Sequence, residues 1–290
     1  MTPAASGLVI VDKPGGMTSH DVVARVRRLA GTKKVGHAGT LDPMATGVLV
    51  IGVEKATRLL GYLTLTEKEY SATIRLGQST STDDAEGEVT GGAPATDVPA
   101  ETLAKAIAGL TGDIQQVPPA VSAIKVDGQR AYRLTRAGAA PELKARPVTV
   151  YEFRVTGIRR DGDMLDIDAT VRCSSGTYIR ALARDLGATL ETGGHLTRLR
   201  RTRVGGYRIE DALTLEQLTG RFEVLPLAQA AAAAFPSRTL TADEAHRLAH
   251  GGRLGPSGTD KPTAAYAPDG TLIALVTEES GQARPLVVFA

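Results

Sequence analysis

The sequence predicts an α+β protein: a mixed, largely antiparallel sheet flanked by helices, followed by a small C-terminal β-rich domain. Three observations carry this expectation. Short apolar runs, GLVIVD at 7–12 and VLVIGV at 48–53, have the length and continuity of buried strands. Residues 69–76 alternate, with Tyr70, Ala72, Ile74 and Leu76 on one face and Ser71, Thr73 and Arg75 on the other. Long connections with helical periodicity separate the strand candidates. The chain has 290 residues, room for about two domains. We expect a boundary near 236, giving domains 1–236 and 237–290.

The elements follow in order. Lys13-Pro14-Gly15-Gly16 cuts off the first strand. Thr18 and Asp21 have capping-box spacing and open a helix with Val22, Val23, Val26 and Leu29 on one face. That helix should stop near Gly31. A glycine-rich loop from Gly36 to Gly47 leads into the second buried strand. The acidic stretch STDDAEGEVTGGAPATDVPA reads as a mobile loop, and 100–110 as a short amphipathic helix. VTVYEFRVTGIRR and DMLDIDATVRC read as a hairpin turning at Asp161-Gly162. Thr177 is expected to cap a helix carrying Ile179, Leu182, Ala183 and Leu186. The alanine run 230–234, ending at Pro236, reads as the last helix of the large domain. Beyond it, Thr241 to Glu244 forms another capping box, and strand candidates fall at 263–267, 271–277 and 285–289.

Composition excludes several classes. No apolar stretch approaches the ~18 residues of a membrane span. The opening has only the short apolar run Gly7 to Val11 and no cationic region before it, so no secretory signal is expected. The single cysteine, Cys173, excludes an internal disulfide framework and a multi-thiolate zinc site, fits a cytoplasmic location, and reads as a small buried residue. Net charge is +2, but its distribution is uneven. Glu67 to Glu101 holds eight acids and two bases; Lys144 to Arg208 holds thirteen bases and seven acids. The cluster Arg198, Arg200, Arg201, Arg203 and Arg208 reads either as a nucleic-acid footprint or as a solvated face.

The loop GHAGTLDPMATG (36–47) departs most from ordinary loop composition. It sets His37 and Asp42 among glycines, where backbone can approach a ligand. It lacks the Gly-Lys-Ser/Thr ending of a phosphate loop and a third ligand for a metal. Taken alone, His37 reads as structural and Asp42 as a turn carboxylate before Pro43.

GLVIVDKPGGMTSHDVV, GHAGTLDPMATGVLVIGVEKATR, KEYSATIRLGQSTSTDDAEGEV, VPPAVSAIKVDGQRAYRLTRAG, ARPVTVYEF and CSSGTYIRALARDLG resemble, in order, the TruB family of tRNA pseudouridine synthases. The resemblance runs from residue 7 to about 208. It implies the pseudouridine synthase fold and isomerisation of the T-loop uridine at tRNA position 55. The tail after 236 is similar, more weakly, to a PUA-like RNA-binding domain. On this resemblance Asp42 is the catalytic carboxylate, Arg180 its partner, and Tyr70 the ring that stacks on the flipped base. His37, Tyr178 and Leu199 fall where the family contacts everted nucleotides or lines its pocket. Lys13-Pro14 would support the catalytic loop. Ser174-Ser175-Gly176 departs from the family's frequent Ser-Lys-Gly, which removes one positive charge near the pocket. From the residues alone, Arg180 near a helix N-terminus calls for an anionic partner, and Tyr70 and Leu199 would also pass for core. The reaction implied needs no cofactor and no metal. The partners implied are the T arm and acceptor arm of tRNA, with no membrane and no obligatory protein partner. We expect a monomer, and an RNA-chaperone role stands as an alternative or coexisting function.

Overall fold

The computed structural model describes residues 5–121, 143–259 and 261–289, together with the backbone of 125–126 and 129–130. Most of the VPPAVSAIKVDGQRAYRLTRAG motif therefore lies outside the described residues. The chain forms two compact units: Met1–Pro43, Gly47–Thr66 and Arg203–Ala290 in one, Met44–Thr46 and Glu67–Thr202 in the other. Together they give an α+β protein with largely antiparallel sheets. Among the described residues no helix is long and apolar enough to cross a membrane.

In the first unit, α1 (Ser19–Ala30) joins β1 (Gly7–Lys13) to β2 (Val35–Ala38). Both halves of the expected capping box form: the Asp21 N–H donates to Thr18 Oγ1, and the Thr18 N–H donates to Asp21 Oδ2. Val22, Val23 and Val26 are buried, and Gly31 ends the helix at φ 64°. β3 (Thr46–Val53) pairs antiparallel with β1, from Gly7↔Val53 to Lys13↔Gly47. β2 also runs antiparallel to β3, with His37 opposite Ile51. α2 (Leu60–Thr64) follows.

The second unit begins with β4 (Lys68–Leu76), whose alternation is as expected: Tyr70, Ala72, Ile74 and Leu76 are all buried. The acidic stretch is not the mobile loop its composition suggests. It contains β6 (Val89–Gly91), which pairs with β5 (Ser79–Thr80) just before it, and buried Asp84 makes a β-bridge to Leu196. Then come α3 (Ala100–Gly109), β7 (Gly112–Gln116) and the short pair β8 (Lys125–Val126) and β9 (Gln129–Arg130). β10 (Arg146–Asp161) and β11 (Met164–Cys173) form the expected hairpin, shifted by one residue. Asp161 pairs with Met164, so the turn is Gly162-Asp163, with Gly162 at φ 58°. Glycine at the first turn position takes the positive φ that a two-residue hairpin loop requires. α4 (Ile179–Thr189) and β12 (Gly194–Val204) complete the unit, and the sheet order is β12-β4-β11-β10-β7.

Thr177 does not cap α4: its hydroxyl donates to Ser174 O, and Tyr178 is the first flanking residue. Among the described residues no side chain caps α4; buried Gln116 clamps the backbone of the flanking residue Tyr178 instead. Its amide oxygen accepts from Tyr178 N at 2.8 Å and its amide nitrogen donates to Tyr178 O at 3.1 Å.

Residues 203–290 return to the first unit. They form β13 (Tyr207–Arg208), α5 (Leu215–Gly220), β14 (Leu225–Pro226) on the edge of β1, and the alanine helix α6 (Leu227–Ala234). After Pro236 come β15 (Ser237–Thr239), α7 (Ala242–Ala249), β16 (Thr263–Tyr266), β17 (Leu272–Glu279) and β18 (Gln282–Val288). β15, absent from the sequence expectation, pairs parallel with β16; the other two ladders are antiparallel. Leu275 and Phe289 pack in one apolar cluster with Leu8, Val50 and Leu59, while Leu240, Leu248, Ile273 and Val276 form a second.

Two glycines separate close packing from backbone freedom. A Cβ on Gly187, in α4, would lie 2.2 Å from Gly193 C and Gly194 N, whereas one on Gly109, in α3, meets nothing. Gly187→Ala should therefore destabilise by about 2–3 kcal/mol through a backbone clash. Gly109→Ala should stabilise by about 0.5–1 kcal/mol by restricting the unfolded chain. Urea unfolding of both variants checks the contrast.

Candidate active site

The loop carrying Asp42 is anchored on both sides by atoms of its own unit. Lys13, at the end of β1, has no exposed surface. Its ammonium donates to the carbonyls of Pro14 (2.9 Å), Met17 (2.6 Å) and Pro43 (3.2 Å). The Gly16 N–H donates to the same Pro43 carbonyl at 2.8 Å. On the other side, Ser19 Oγ accepts from Leu41 N at 2.9 Å and donates to Leu41 O at 3.1 Å. The peptides flanking half-buried Asp42 are thus held in place. His37 is half-buried on β2, and its ring meets His20 of α1 edge-on, with centroids 5.4 Å apart.

The second unit holds Tyr70, Tyr178, Arg180 and Leu199; His37 and Asp42 belong to the first. Arg180 is the second residue of α4 and only 4% exposed. Its guanidinium donates to the carbonyls of Thr82 and Val121, each at 2.9 Å, and lies 3.5 Å from Asp84 Oδ2. A cation at a helix N-terminus opposes the macrodipole, and buried Asp84 supplies the anion that offsets it. Asp84 is itself fixed by Thr82 Oγ1 and Glu86 N. One turn along α4, Arg184 repeats the pattern, reaching Asp83 Oδ2 at 3.2 Å and the Val117 carbonyl at 2.7 Å. Burial pushes the Asp83 carboxyl up against the pull of Arg184. Sequence reasoning missed Asp83 and Asp84, reading them as solvated loop acids. Their adjacency opposite two arginines spaced i, i+4 was the available signal.

Tyr70 is 8% exposed on β4, opposite Val171 of β11, so most of its ring belongs to the core. Leu199 is buried on β12, and Tyr178 is half-buried with its backbone clamped by Gln116. The basic cluster is not uniformly a surface feature. Arg198 and Arg208 are exposed, but Arg201 is 1% exposed and shares the strand parity of Leu199. Among the described residues no group of three or more His, Cys, Asp or Glu side chains gathers as metal ligands would.

Near Arg201 lies buried Lys68. Burial, with a smaller push from the Arg201 charge, lowers its ammonium to about 8. Cys173, opposite Lys68 in the β4–β11 ladder, is pushed up to about 11 by burial.

Three family profiles match the chain. TruB family pseudouridylate synthase (N terminal domain) covers residues 27–179, and tRNA pseudouridylate synthase B C-terminal domain covers 180–226. tRNA Pseudouridine synthase II, C terminal, covers 235–290. The chain is 65% identical to the tRNA pseudouridine synthase B of Thermobifida fusca, over 99% of each chain. It is 60% identical to that of an Arthrobacter species, over 98% of this chain and 97% of the relative. Among solved structures it resembles a Cbf5-Nop10-Gar1 complex, with TM-score 0.72 and 26% identity over 98% of this chain and 84% of that chain. It also resembles an H/ACA RNP bound to a substrate RNA containing 2′-deoxyuridine, with TM-score 0.71 and 25% identity over 97% and 84%. These likenesses define the fold class as that of the pseudouridylate synthases. The chain belongs to the TruB family of tRNA pseudouridine synthases, and is an isomerase that makes pseudouridine in tRNA.

The low Lys68 value has a measurable consequence. The folded ammonium gives up its proton near pH 8 while the unfolded one keeps it to about 10.5. Between these values the unfolded chain binds more protons, so this residue's contribution to stability rises with pH. From pH 8 to 9 Lys68 should add about 1 kcal/mol relative to a chain without it, while the Cys173 thiol, which ionises near 9 when unfolded and stays protonated when buried, subtracts a smaller amount from both chains alike. Urea unfolding at both pH values should show the Lys68 gain in the wild-type chain and not in Lys68→Met.

Proposed function

We propose that the protein isomerises the T-loop uridine at tRNA position 55, with Asp42 as the catalytic carboxylate, Arg180 as its partner and Tyr70 stacked on the flipped base. The observation that carries this reading is the double anchoring of the Asp42 loop by buried Lys13 and Ser19. A carboxylate that acts on one sugar atom needs a fixed backbone, because a misplacement of about 1 Å can cost 10²-fold. The N1–C1′ bond breaks, the base turns, and C1′ rejoins at C5; the C5 proton is lost and N1 gains one. Atoms balance without a cofactor. Asp42 acts at the sugar, as nucleophile at C1′ or base at C2′, and both routes need it ionised. Arg180, held rigidly by two carbonyls and Asp84, supplies a fixed cation that favours the ionised form. Tyr70, His37, Tyr178 and Leu199 replace the stacking and packing lost when the nucleotides leave the loop, which offsets a flipping cost of a few kcal/mol.

Residues 237–290 act in this reading as a PUA-like domain that docks the acceptor arm through phosphate contacts, adding affinity rather than chemistry. The enzyme works as a cytoplasmic monomer on tRNA, without a guide RNA or protein partner. An RNA-chaperone activity is compatible with the same binding surface, and the loss of turnover on removing one charge distinguishes the two.

Purified protein with an unmodified T-arm stem-loop should release tritium from 5-³H-uridine. Asp42→Asn should lower turnover by on the order of 10⁴ or more while RNA affinity changes little. Appreciable turnover in that variant would remove Asp42 from its role. Tyr70→Phe keeps the ring, so binding should persist while turnover falls if the hydroxyl moves the C5 proton. Full activity in a stable Tyr70→Phe would leave the ring with stacking alone.

A further inference from the structure

From Val22 to Leu41 the chain carries five basic residues and no acid. Arg25, Arg27 and Arg28 lie on α1, and Lys33 and Lys34 follow its end. All five are exposed. With Val22, Val23 and Val26 buried, the helical period turns Ala24, Arg25 and Arg28 to the outer side of α1. None of the roles above uses that side.

Two of the five cations are engaged within the first unit. Arg27 donates to Val35 O at 3.0 Å, and Lys34 lies 3.4 Å from Glu54. Arg25, Arg28 and Lys33 make no ion pair and no side-chain hydrogen bond among the described residues. The acids around them are occupied or apart. Asp21 shares the outer side, but its Oδ2 takes the Thr18 N–H at 2.9 Å and the Thr18 hydroxyl at 2.7 Å. Glu54 accepts from the Thr32 hydroxyl beside its Lys34 contact. α5 packs against α1 and carries exposed Glu216, which pairs with neither arginine. Arg25 and Arg28, three residues apart on one helix, repel each other. The helix dipole favours a cation in the last turn, which suits Arg27 and Arg28, but Arg25 precedes that turn and Lys33 lies beyond Gly31. Two guanidiniums and an ammonium gathered without acids match a run of phosphates.

We propose that Arg25, Arg28 and Lys33 form a docking surface for the tRNA phosphate backbone, outside the pocket that takes the reacting nucleotide. The proposal rests on the tRNA substrate, and not on position 55 or on the role of Asp42. Ser19, the first residue of α1, is bonded to Leu41 in the Asp42 loop, and Arg28 lies about 14 Å further along the helix axis. That separation gives the surface a part in affinity and none in chemistry.

The test measures Kd of the full-length chain for unmodified bulk tRNA transcripts from roughly 50 to 300 mM salt. The triple variant Arg25→Gln, Arg28→Gln, Lys33→Gln should bind about 10-fold or more weakly at ~0.1 M salt. Its log–log salt slope should flatten by roughly 0.7–0.9 for each charge removed. The double variant Arg25→Lys, Arg28→Lys should keep the slope, since counterion release follows charge. Lys105→Gln, exposed on α3 but paired with Glu101 at 3.0 Å, should also keep it. Tritium release from 5-³H-uridine tRNA should show a raised KM in the triple variant and an unchanged kcat. All these positions are exposed, and matched melting temperatures control for folding. A wild-type slope in the triple variant, the outcome if the surface serves an acidic protein or only solvent, would overturn the proposal. So would a flattening of roughly 0.7–0.9 in Lys105→Gln, which would show that overall charge alone is being read. An error in position 55 shows separately, as absent tritium release from the T-arm stem-loop by the wild-type chain.

Discussion

A buried ammonium is costly unless its hydrogens are bonded, and Lys13 meets that condition with three carbonyl oxygens drawn from two separate stretches of chain. Two belong to the turn that follows β1, and the third is Pro43, beside Asp42. Removing the ammonium would leave several carbonyls without this donor, a penalty of about 1–3 kcal/mol for each that stays buried. Within the Asp42 loop Leu41 and Ala45 are also buried. The polar anchor at Lys13, matched by Ser19 on the other side, does for this loop what apolar burial does for the strands around it.

The second unit solves a related problem with arginines. Arg180 and Arg184 sit one turn apart on α4 and each grips a carboxylate of the acidic hairpin and a carbonyl from residues 117–121. Two segments distant in sequence are thereby fastened to one helix. A buried ion pair of this kind is weak evidence for stability, since desolvation offsets much of the attraction. Its effect is geometric: the Arg180 guanidinium has little freedom to move when a substrate arrives. On the proposed reading, preorganised charge of this sort costs no rearrangement during the reaction.

Much of the architecture was legible because it is written in local patterns. The Thr18–Asp21 and Thr241–Glu244 capping boxes, the period-two burial of β4, and the apolar runs of β1 and β3 each follow from residues within one element. Where the reading failed, a competing local signal was chosen. Thr177 resembled a helix cap, but its hydroxyl turns back to the Ser174 carbonyl and the helix starts after Tyr178. The acidic stretch had the composition of a solvated loop, but its aspartates were counter-ions for arginines on a helix far along the chain.

The sequence by itself determined β1, β3, β4, the β10–β11 hairpin, the capped helices α1 and α7, and the candidate residues Asp42, Tyr70 and Arg180, because periodicity, capping and motif identity are properties of neighbouring residues. It could not determine that Arg201 is buried, that Lys68 loses its proton near pH 8, or that Arg180 is paired with Asp84. Those facts depend on which residues from other strands and loops surround each charge. Desolvation and Coulomb energies are set by distance in space, and tertiary packing alone fixes that distance.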